Sequence, residues 1–593
     1  MRMRASLLAL GMVAAASSAA SCSSDARVPD SPATCDRQIS AGNSIEVGAV
    51  LPNLRFEGLR ENGESGSFSL HDYSEPCAAA SKLLVLRVTG GSWCGTCRWS
   101  AAHTGELKAL PTAARMRWVD LLLGDEDNNP ARASDVAGWQ KLLDAPAGTA
   151  LGVDPAFRLS ALGKGRGLPL PLFVLIDTRT MKVLSYTANP DPDRLIRQLE
   201  STMAELDAAP PPTPKPEVLV EQLFHRNEWD MIREMAAPEA PPPDPSNAVA
   251  DSPAAAALGK KLFFDTSLSP SGEVSCASCH QTEHGLSDST PVARAAGVGT
   301  RRTPRITLAA HQRWQFWDGR VDSLWAQALA PFENPAEFNS SRLRVVRRVM
   351  AGYGSDYRAA FPAAPAPSTS AWPADGKPGD AAYDALPEGE RQAATQTFVN
   401  IGKAIAAYER SFRTKPTALD AYARGDKEAL TIEQKQGLST FFSASCTQCH
   451  WGPTLSDGAF HVTRVGTGRA DGAADQGRSG GIVLWSQSEF SRGGRWSDAP
   501  HAAPSFDLAP NVRTLGAFKT PSLRGVATSA PFGHGGTQVE LVSVVDAYGV
   551  GGLLPSDSRA IGTLDPWLPK FGEATSWAMM PFLLTLEDKP LVP

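Results

Sequence analysis

The chain has 593 residues, of which 42% are hydrophobic and 20% are charged, and its formal net charge at pH 7 is -6. This length exceeds a single hydrophobic core and predicts several domains, and the composition excludes a largely disordered protein. The small negative charge offers no basic surface to nucleic acid, so we expect small molecules and proteins as partners.

The N-terminus has the order of a secretory signal: the charged MRMR, the apolar ASLLALGMVAAA and small residues that end at Cys22. We expect residues 1–22 to be the signal and the protein to be periplasmic or held in the cell envelope. The residues before Cys22 resemble a bacterial lipoprotein box without its usual leucine, so lipidation and ordinary cleavage both stay open. Because no later run is apolar enough to span a membrane, a lipid on Cys22 is the membrane anchor we expect.

The cysteines also indicate export. Three close pairs stand out among nine cysteines: Cys94 with Cys97, Cys276 with Cys279, and Cys446 with Cys449. If Cys22 carries lipid, Cys35 and Cys77 remain as a candidate structural disulfide. Such pairing is typical of an oxidising compartment.

Proline-rich stretches at 209–216 and 240–245 divide the chain into two modules. Between them, VLVEQLFHRNEWDMIREM has the apolar spacing of one short helix. The predicted ranges are a first domain over 45–205, a linker over 206–250, and two further domains over 251–415 and 416–593.

In the first module, SWCGTC at 92–97 lies between an apolar run of strand length and a sequence able to begin a helix. A helix N-terminus stabilises a thiolate, so we expect Cys94 to be the attacking nucleophile and Cys97 the resolving thiol. Further along, Pro171 precedes the apolar run LFVLID.

This pattern resembles the thioredoxin fold, close to the membrane-tethered thiol-disulfide proteins of bacteria, over about residues 45–205. The resemblance implies an α/β domain in which Pro171 is cis and faces a redox-active Cys94–Cys97 pair. An inert disulfide stays open as an alternative. Thr96 stands where such motifs commonly have proline, so the reduction potential and the direction of the chemistry are open.

The second module contains CASCH at 276–280 and CTQCH at 446–450. Covalent haem c attachment needs two thiols at this spacing and an adjacent histidine that ligates the iron. We predict two haem c groups, one on Cys276 and Cys279 with His280, the other on Cys446 and Cys449 with His450. A zinc site would need further ligands that neither motif supplies.

Four segments around these motifs resemble, in the same order, the bacterial di-haem cytochrome c peroxidases and MauG. They are LGKKLFFDTSLSPSGEVSCASCH, FWDGRVDSLWAQALAPFENPAEF, LTIEQKQGLSTFFSASCTQCHWGP and GAFKTPSLRGVATSAPFGHGG. The resemblance runs from about residue 250 to the end. It implies two mainly α-helical cytochrome-c-like domains with one haem each, and an oxidoreductase that uses hydrogen peroxide.

The resemblance also implies roles at the first haem. It places Gln327 and Glu337 over the iron, Glu337 to move a proton and Gln327 to orient peroxide, and Trp317 between the two haems. Related peroxidases close this iron with a histidine from a loop that corresponds to 289–305, and this loop has no histidine. The first haem is therefore expected to be five-coordinate, although His311 remains as a candidate ligand.

At the second haem, the position of the axial methionine in the peroxidases is occupied by Tyr548, and MauG resembles this chain in having tyrosine there. Met579 or Met580 remains as an alternative ligand. A phenolate ligand favours oxidised iron. Arg302 replaces an asparagine that helps to bind calcium in the family, which puts a calcium ion in doubt.

Two functions follow from this interpretation. The first is a peroxidase or MauG-like enzyme that oxidises a small c-type cytochrome, a cupredoxin or a protein side chain. The second is a non-enzymatic electron-transfer protein in which the haems exchange electrons with Cys94 and Cys97.

Overall fold

A computed structural model of the protein describes residues 44–76, 81–143, 148–159, 168–208, 219–466, 468–469, 471–500, 508–552 and 558–593. The predicted signal, the lipid site at Cys22 and the candidate Cys35–Cys77 disulfide lie outside these residues. Over the described part of the chain, no helix combines the length and the apolar character that crossing a membrane requires.

The elements are numbered in chain order. The strands are β1 (Arg55–Leu59), β2 (Ser65–Ser69), β3 (Leu83–Thr89), β4 (Met116–Leu122), β5 (Thr149–Val153), β6 (Leu172–Asp177), β7 (Lys182–Ala188), β8 (Arg413–Thr414), β9 (Phe460–His461), β10 (Phe518–Lys519) and β11 (Pro590–Leu591). The helices are α1 (Gly95–Ala102), α2 (Thr104–Lys108), α3 (Val136–Leu142), α4 (Pro192–Leu206), α5 (Arg226–Glu234), α6 (Pro253–Phe263), α7 (Cys276–Cys279), α8 (Leu324–Glu333), α9 (Arg342–Ala360), α10 (Ala381–Asp384), α11 (Glu388–Glu409), α12 (Ala418–Ala423), α13 (Ile432–Ser443), α14 (Arg478–Ser486), α15 (Leu541–Val550) and α16 (Glu573–Leu583).

The first module is built on one mixed sheet with the strand order β2-β1-β5-β4-β3-β6-β7. Strands β3, β4 and β5 are parallel to one another, β6 runs antiparallel beside β3, and β7 runs antiparallel beside β6 at the edge of the sheet. Every residue of β3 is buried, as expected for a central strand covered on both faces. Helix α4 covers one face through Leu195, Leu199 and Met203, and α1 and α3 cover the other. This is the thioredoxin-like α/β architecture that the sequence predicts.

The first haem unit is a helical bundle in which α6, α8, α9 and α11 share one apolar core. Helices α6 and α11 cross very closely, since a Cβ on Gly259 would overlap the carbonyl of Ala404. Only glycine permits this approach, which brings Leu258 and Leu262 of α6 into the same core as Ile405 of α11. The bundle supports the loop that carries the first haem motif, because Cys276 packs against this core.

A second helical core joins α12, α13 and α16 through Tyr422, Leu438 and Phe582. Helix α5, which the sequence assigns to the linker, belongs to this core: Met231 and Ile232 are buried in it. The ring of Trp229 lies edge-on to Tyr422 at 5.3 Å between centroids. Part of the predicted linker is therefore a structural element of the second haem unit, because its apolar face has a partner there.

Candidate functional site: two haem motifs and a disulfide

The first haem motif begins as the short helix α7 and ends at His280, whose Nδ1 lies 3.0 Å from the carbonyl of Leu286. A histidine that donates from Nδ1 to a carbonyl presents Nε2 to a metal. His450 repeats this arrangement, with Nδ1 at 3.1 Å from the carbonyl of Leu455. Both histidines are therefore oriented as iron ligands, and each lies next to its pair of thiols.

The proposed peroxide residues come from α8 and the turn that follows it. Gln327 is 8% exposed, and its Oε1 has no hydrogen-bond partner among the described residues. The Glu337 carboxylate accepts a hydrogen bond of 2.6 Å from Asn334 Nδ2. Burial raises the pKa of Glu337, although Arg320 and Asn334 act in the opposite direction.

Glu337 lies close to the first haem motif. Burial, followed by the charges of Asp288 and Glu337, raises the pKa of the Cys279 thiol to about 11. The loop over 289–305, which has no histidine, borders Glu337, because Ala296 N donates to the Glu337 carbonyl at 3.0 Å. His311 is half-buried, and burial together with Arg413 and Arg410 lowers its pKa to about 4.

The second haem motif lines a cavity. Side chains from the surrounding loops and helices form the rest of its wall. Cys446–Gln448 form a single 3-10 turn, and His450 follows it with 9% exposure. The lining of this cavity includes the motif residues and many apolar side chains, among them Phe441, Cys446, Cys449, His450, Val544, Val545, Tyr548, Phe571, Met579 and Leu583. Two thiols, an oriented imidazole and an apolar wall fit a haem c group.

Of the three candidate axial ligands, Tyr548 and Met579 line this cavity, whereas Met580 is not among its lining residues. Burial, followed by the charges of Cys449 and Cys446, raises the pKa of Tyr548, so the phenol lies near the two thiols. Met579 is fully buried, and its sulfur lies 3.9 Å from Cys446 Sγ at the edge where that cysteine would bind the haem. The assignment of Tyr548 as the ligand stays a prediction.

The same cavity extends to Trp317, which the sequence predicts between the haems. Trp317 Nε1 donates to the carbonyl of Arg302 at 2.9 Å, and its ring lies 6.4 Å from that of His534. Arg302 is 5% exposed and donates to the carbonyl of Asp288 at 3.2 Å. Trp317 therefore connects the loop near the first motif with the cavity of the second.

A family model described as di-haem cytochrome c peroxidase matches residues 253–428. The methylamine utilization protein MauG of Methylorubrum extorquens is 33% identical over 323 residues, which cover 53% of this chain and 73% of that protein. Cytochrome c551 peroxidase of Pseudomonas aeruginosa is 30% identical over 299 residues, which cover 49% of this chain and 70% of that protein.

The chain belongs to the di-haem cytochrome c peroxidase and MauG family. It is thus an oxidoreductase of a haem c family, and the family resemblance found in the sequence is confirmed. The diheme peroxidase BthA of Burkholderia thailandensis is 20% identical, covers 60% of this chain and 91% of that chain, and has a TM-score of 0.43. The thioredoxin domain of a Bacteroides vulgatus thiol-disulfide oxidoreductase is 16% identical, covers 27% of this chain and 99% of that chain, and has a TM-score of 0.20.

This di-haem family member also carries a disulfide between Cys94 and Cys97 in its first module, with Cα atoms 5.2 Å apart. Cys94 caps helix α1, and its Sγ accepts from the backbone N of Cys97 at 3.2 Å. The Leu170–Pro171 bond is cis, as the thioredoxin resemblance implies. Thr96 connects the disulfide with the cis Leu170–Pro171 bond. Its hydroxyl donates to the Leu170 carbonyl at 2.9 Å and lies 3.4 Å from Cys94 Sγ.

The disulfide face of this module packs against the second haem motif. Helix α1 contacts the turn Cys446–Gln448, and Trp451, directly after His450, lies over Gly95. The indole Nε1 of Trp451 donates to the carbonyl of Trp93 at 2.9 Å. In this family member the thioredoxin-like module and the second haem site therefore form one continuous site.

A buried histidine at this junction was not found from the sequence. His461 is 3% exposed, with Nδ1 at 2.7 Å from Asp565 and Nε2 at 2.9 Å from Asp457, and its ring lies 4.8 Å from that of Trp93. Burial lowers the pKa of His461, but Cys449 and the two aspartates together raise it by more than burial lowers it. The pKa of His461 is therefore well above its usual value. Asp457 lies four residues before His461, but Asp565 comes from a distant part of the chain, so the local sequence does not reveal the complete cluster. Trp451 did carry a signal, because it is adjacent to CTQCH.

Proposed function

We propose that the protein uses hydrogen peroxide as an electron acceptor at the first haem and oxidises a donor through the second. A buried Gln327 whose Oε1 has no partner among the described residues, and a half-buried Glu337 near the first motif, carry this proposal. Haem c supplies an iron that binds a peroxide oxygen and passes electrons. The loop over 289–305 has no histidine to close that iron, which supports an open sixth position.

Glu337 is the proton carrier in this proposal. Burial raises its pKa, so the carboxyl group takes up a proton more readily than an exposed one and can return it within the same site. Its contact with Asn334 Nδ2 fixes one carboxylate oxygen and leaves the other available. Gln327, with a free Oε1, orients peroxide by a hydrogen bond.

Trp317 and Tyr548 connect this chemistry to the donor. Trp317 lines the cavity of the second haem and is fixed by the Arg302 carbonyl, so its ring carries an electron between the haems. Tyr548 ligates the second iron and, as an anionic donor, lowers its potential relative to a thioether. The donor is a small c-type cytochrome, a cupredoxin or a protein side chain.

Export and calcium belong to the same proposal. The N-terminal charged, apolar and small-residue order supports a periplasmic or envelope location, with lipidation of Cys22 left open. Cell fractionation and mass spectrometry of the mature N-terminus test both.

The buried guanidinium of Arg302 supports a domain junction that works without calcium, because a cation there disfavours a second cation.

The first test is low-temperature EPR of the ferric protein, followed by its optical response to one equivalent of peroxide. We expect one high-spin and one low-spin haem and an immediate optical change. Glu337→Gln should slow the response, whereas Glu283→Gln, an exposed carboxylate beside the first motif, should not. Two low-spin haems that do not react with peroxide until they are reduced would refute the open sixth position at the first haem.

The axial ligand of the second haem is tested in the same spectra. Tyr548→Phe should abolish the original low-spin signal, because the phenol oxygen is removed and the ring is kept. Met579→Leu should leave the signal in place. The reverse pattern would assign the ligand to Met579.

A second candidate is a non-enzymatic electron-transfer protein in which the haems exchange electrons with Cys94 and Cys97. The packing of α1 on the turn Cys446–Gln448 favours it. Slow peroxide turnover together with rapid reduction of the haems by the dithiol would support this candidate over the enzyme.

A further inference from the structure

The disulfide of the first module is covered. Cys94 and Cys97 are both fully buried, whereas a thiol-disulfide protein must expose its attacking sulfur to a substrate. The cover is Trp451: a Cβ built on Gly95, between the two cysteines, would lie 2.5 Å from Cδ2 of that indole. A substrate protein cannot reach the sulfur atoms in this docked arrangement, so a redox partner that acts on the docked module must lie inside the chain.

Trp451 is also the residue next to an expected iron ligand. Its backbone continues directly from His450, and its Nε1 donates to the carbonyl of Trp93, the residue before Cys94. One hydrogen bond therefore completes a connection from Cys94 through Trp93 and Trp451 to His450. The guanidinium of Arg98 lies over the same indole at 4.9 Å and holds it in place.

The docking of the module is specific and extends beyond Trp451. Arg513, from the second haem unit, donates to the carbonyl of Leu123 at 2.6 Å. Asn128 Nδ2 donates to the carbonyl of Phe460 at 2.9 Å, and Leu168 N donates to the carbonyl of Pro566 at 3.2 Å. Buried, directional hydrogen bonds at several points fix the module in one orientation.

We propose that Cys94 and Cys97, in the dithiol form, are an intramolecular electron donor of this enzyme, in addition to the external donor of the proposed function. Two S–H bonds break and the S–S bond forms, two electrons pass by way of Trp93 and Trp451 to the second haem, and the two protons are released. At the first haem the O–O bond of hydrogen peroxide breaks, and these electrons and two protons complete two molecules of water. The sum is one dithiol and one peroxide giving one disulfide and two waters.

This inference rests on the proposed peroxide reaction and adds its electron source. The donor form is regenerated by an external dithiol when the module opens away from Trp451. In the docked arrangement the burial of both sulfur atoms keeps peroxide from reacting with them directly, so electrons leave the dithiol only through the protein.

The test uses the full-length protein with both haems. The disulfide is reduced with dithiothreitol, the reductant is removed without oxygen, and one equivalent of hydrogen peroxide is added. The haem spectrum is followed, and at each time point a sample is unfolded in denaturant that contains N-ethylmaleimide, so that the buried thiols are trapped and the peptide that contains Cys94 and Cys97 is measured by mass spectrometry. We expect loss of both thiols per peroxide, on the timescale on which the haem spectrum returns to its starting state.

Two variants separate the outcomes. In Glu337→Gln, thiol loss should fall to the slow direct rate, because the haem step is blocked. In the double variant Cys94→Ser and Cys97→Ser, the peroxide-altered haem spectrum should persist longer. A haem spectrum that responds while the thiols stay reduced would overturn the inference and keep the proposed function. No haem response, with equal thiol loss in wild type and Glu337→Gln, would overturn both.

Discussion

The contact between Gly95 and Trp451 yields a quantitative prediction for Gly95→Ala. The new Cβ would lie 2.5 Å from Cδ2 of the indole. Carbon atoms in contact prefer about 3.5–4.0 Å, so the ring or the helix must move by about 1 Å. Gly95 begins helix α1, where alanine is a better helix former than glycine, so the substitution should leave the module itself folded.

Gly95→Ala should destabilise the packing of the first module against Trp451. Overpacking costs about 1–3 kcal/mol. A displaced Trp451 also loses its hydrogen bond to Trp93, worth about 1 kcal/mol, and part of its contact with Arg98, worth about 0.5–1 kcal/mol. A total of about 2–5 kcal/mol shifts the docking equilibrium by about 30-fold to 4000-fold, since about 1.4 kcal/mol is tenfold.

The assay is the rate at which excess dithiothreitol reduces the Cys94–Cys97 disulfide, read by alkylation of the released thiols. Because the sulfur atoms are buried when docked, the rate follows the fraction of open molecules. Gly138→Ala, in helix α3, is the matched control, because a Cβ there meets no atom within 4 Å. Equal reduction rates in the two variants would refute the role of Trp451 as a cover.

Two further predictions concern buried charge. Glu409 is 5% exposed, and burial raises its pKa to about 8; the folded protein therefore loses stability as the pH rises from about 4.5 to 8, by at most about 1.4 kcal/mol per pH unit. Glu409→Gln should flatten the dependence of the melting temperature on pH over this range, and an unchanged slope would contradict the assignment. His461→Gln leaves Asp457 and Asp565 without their shared cation and should lower stability by about 3–5 kcal/mol. Because the pKa of His461 is raised, its stabilising contribution is complete below about pH 6.5 and is lost as the pH rises through the higher folded value, so the variant should differ most from wild type at low pH. Thermal melts between pH 5 and 8 measure this, and a larger difference at high pH would contradict the ion-pair account.

The sequence predicts those parts of the site whose chemistry depends on local spacing. The thiols and the histidine of each haem motif lie within a few residues of one another, and the nucleophile of the first module lies between a strand and a helix. Proximity along the chain alone therefore brings these groups together. The thioredoxin-like architecture is predicted through resemblance, from the strand before SWCGTC and from Pro171 before a second strand. Helix α5 shows the limit, because an apolar face indicates burial but does not identify Tyr422 as its partner.

The junction could not be predicted, because it joins residues from four separate stretches of chain. Trp93, Trp451, His461 and Asp565 meet only after the two modules have packed. Asp565 and Asp457 would each be assigned to the surface by default, since aspartate is seldom buried without a partner. The choice between Tyr548 and Met579 is also nonlocal, because both line one cavity.

The core of the first module includes two side chains from the second haem unit. Trp567 packs on Trp93 at 5.4 Å and on Phe157 at 6.3 Å, and Ala459 is buried in the same cluster. The N-terminal module emerges first during synthesis, yet its core closes only after residue 567 has been made. The docked face also lies against Cys446 and Cys449, the predicted attachment thiols of the second haem. We therefore expect haem attachment at this motif to precede docking, and a fully closed first module to mark a chain whose maturation is complete.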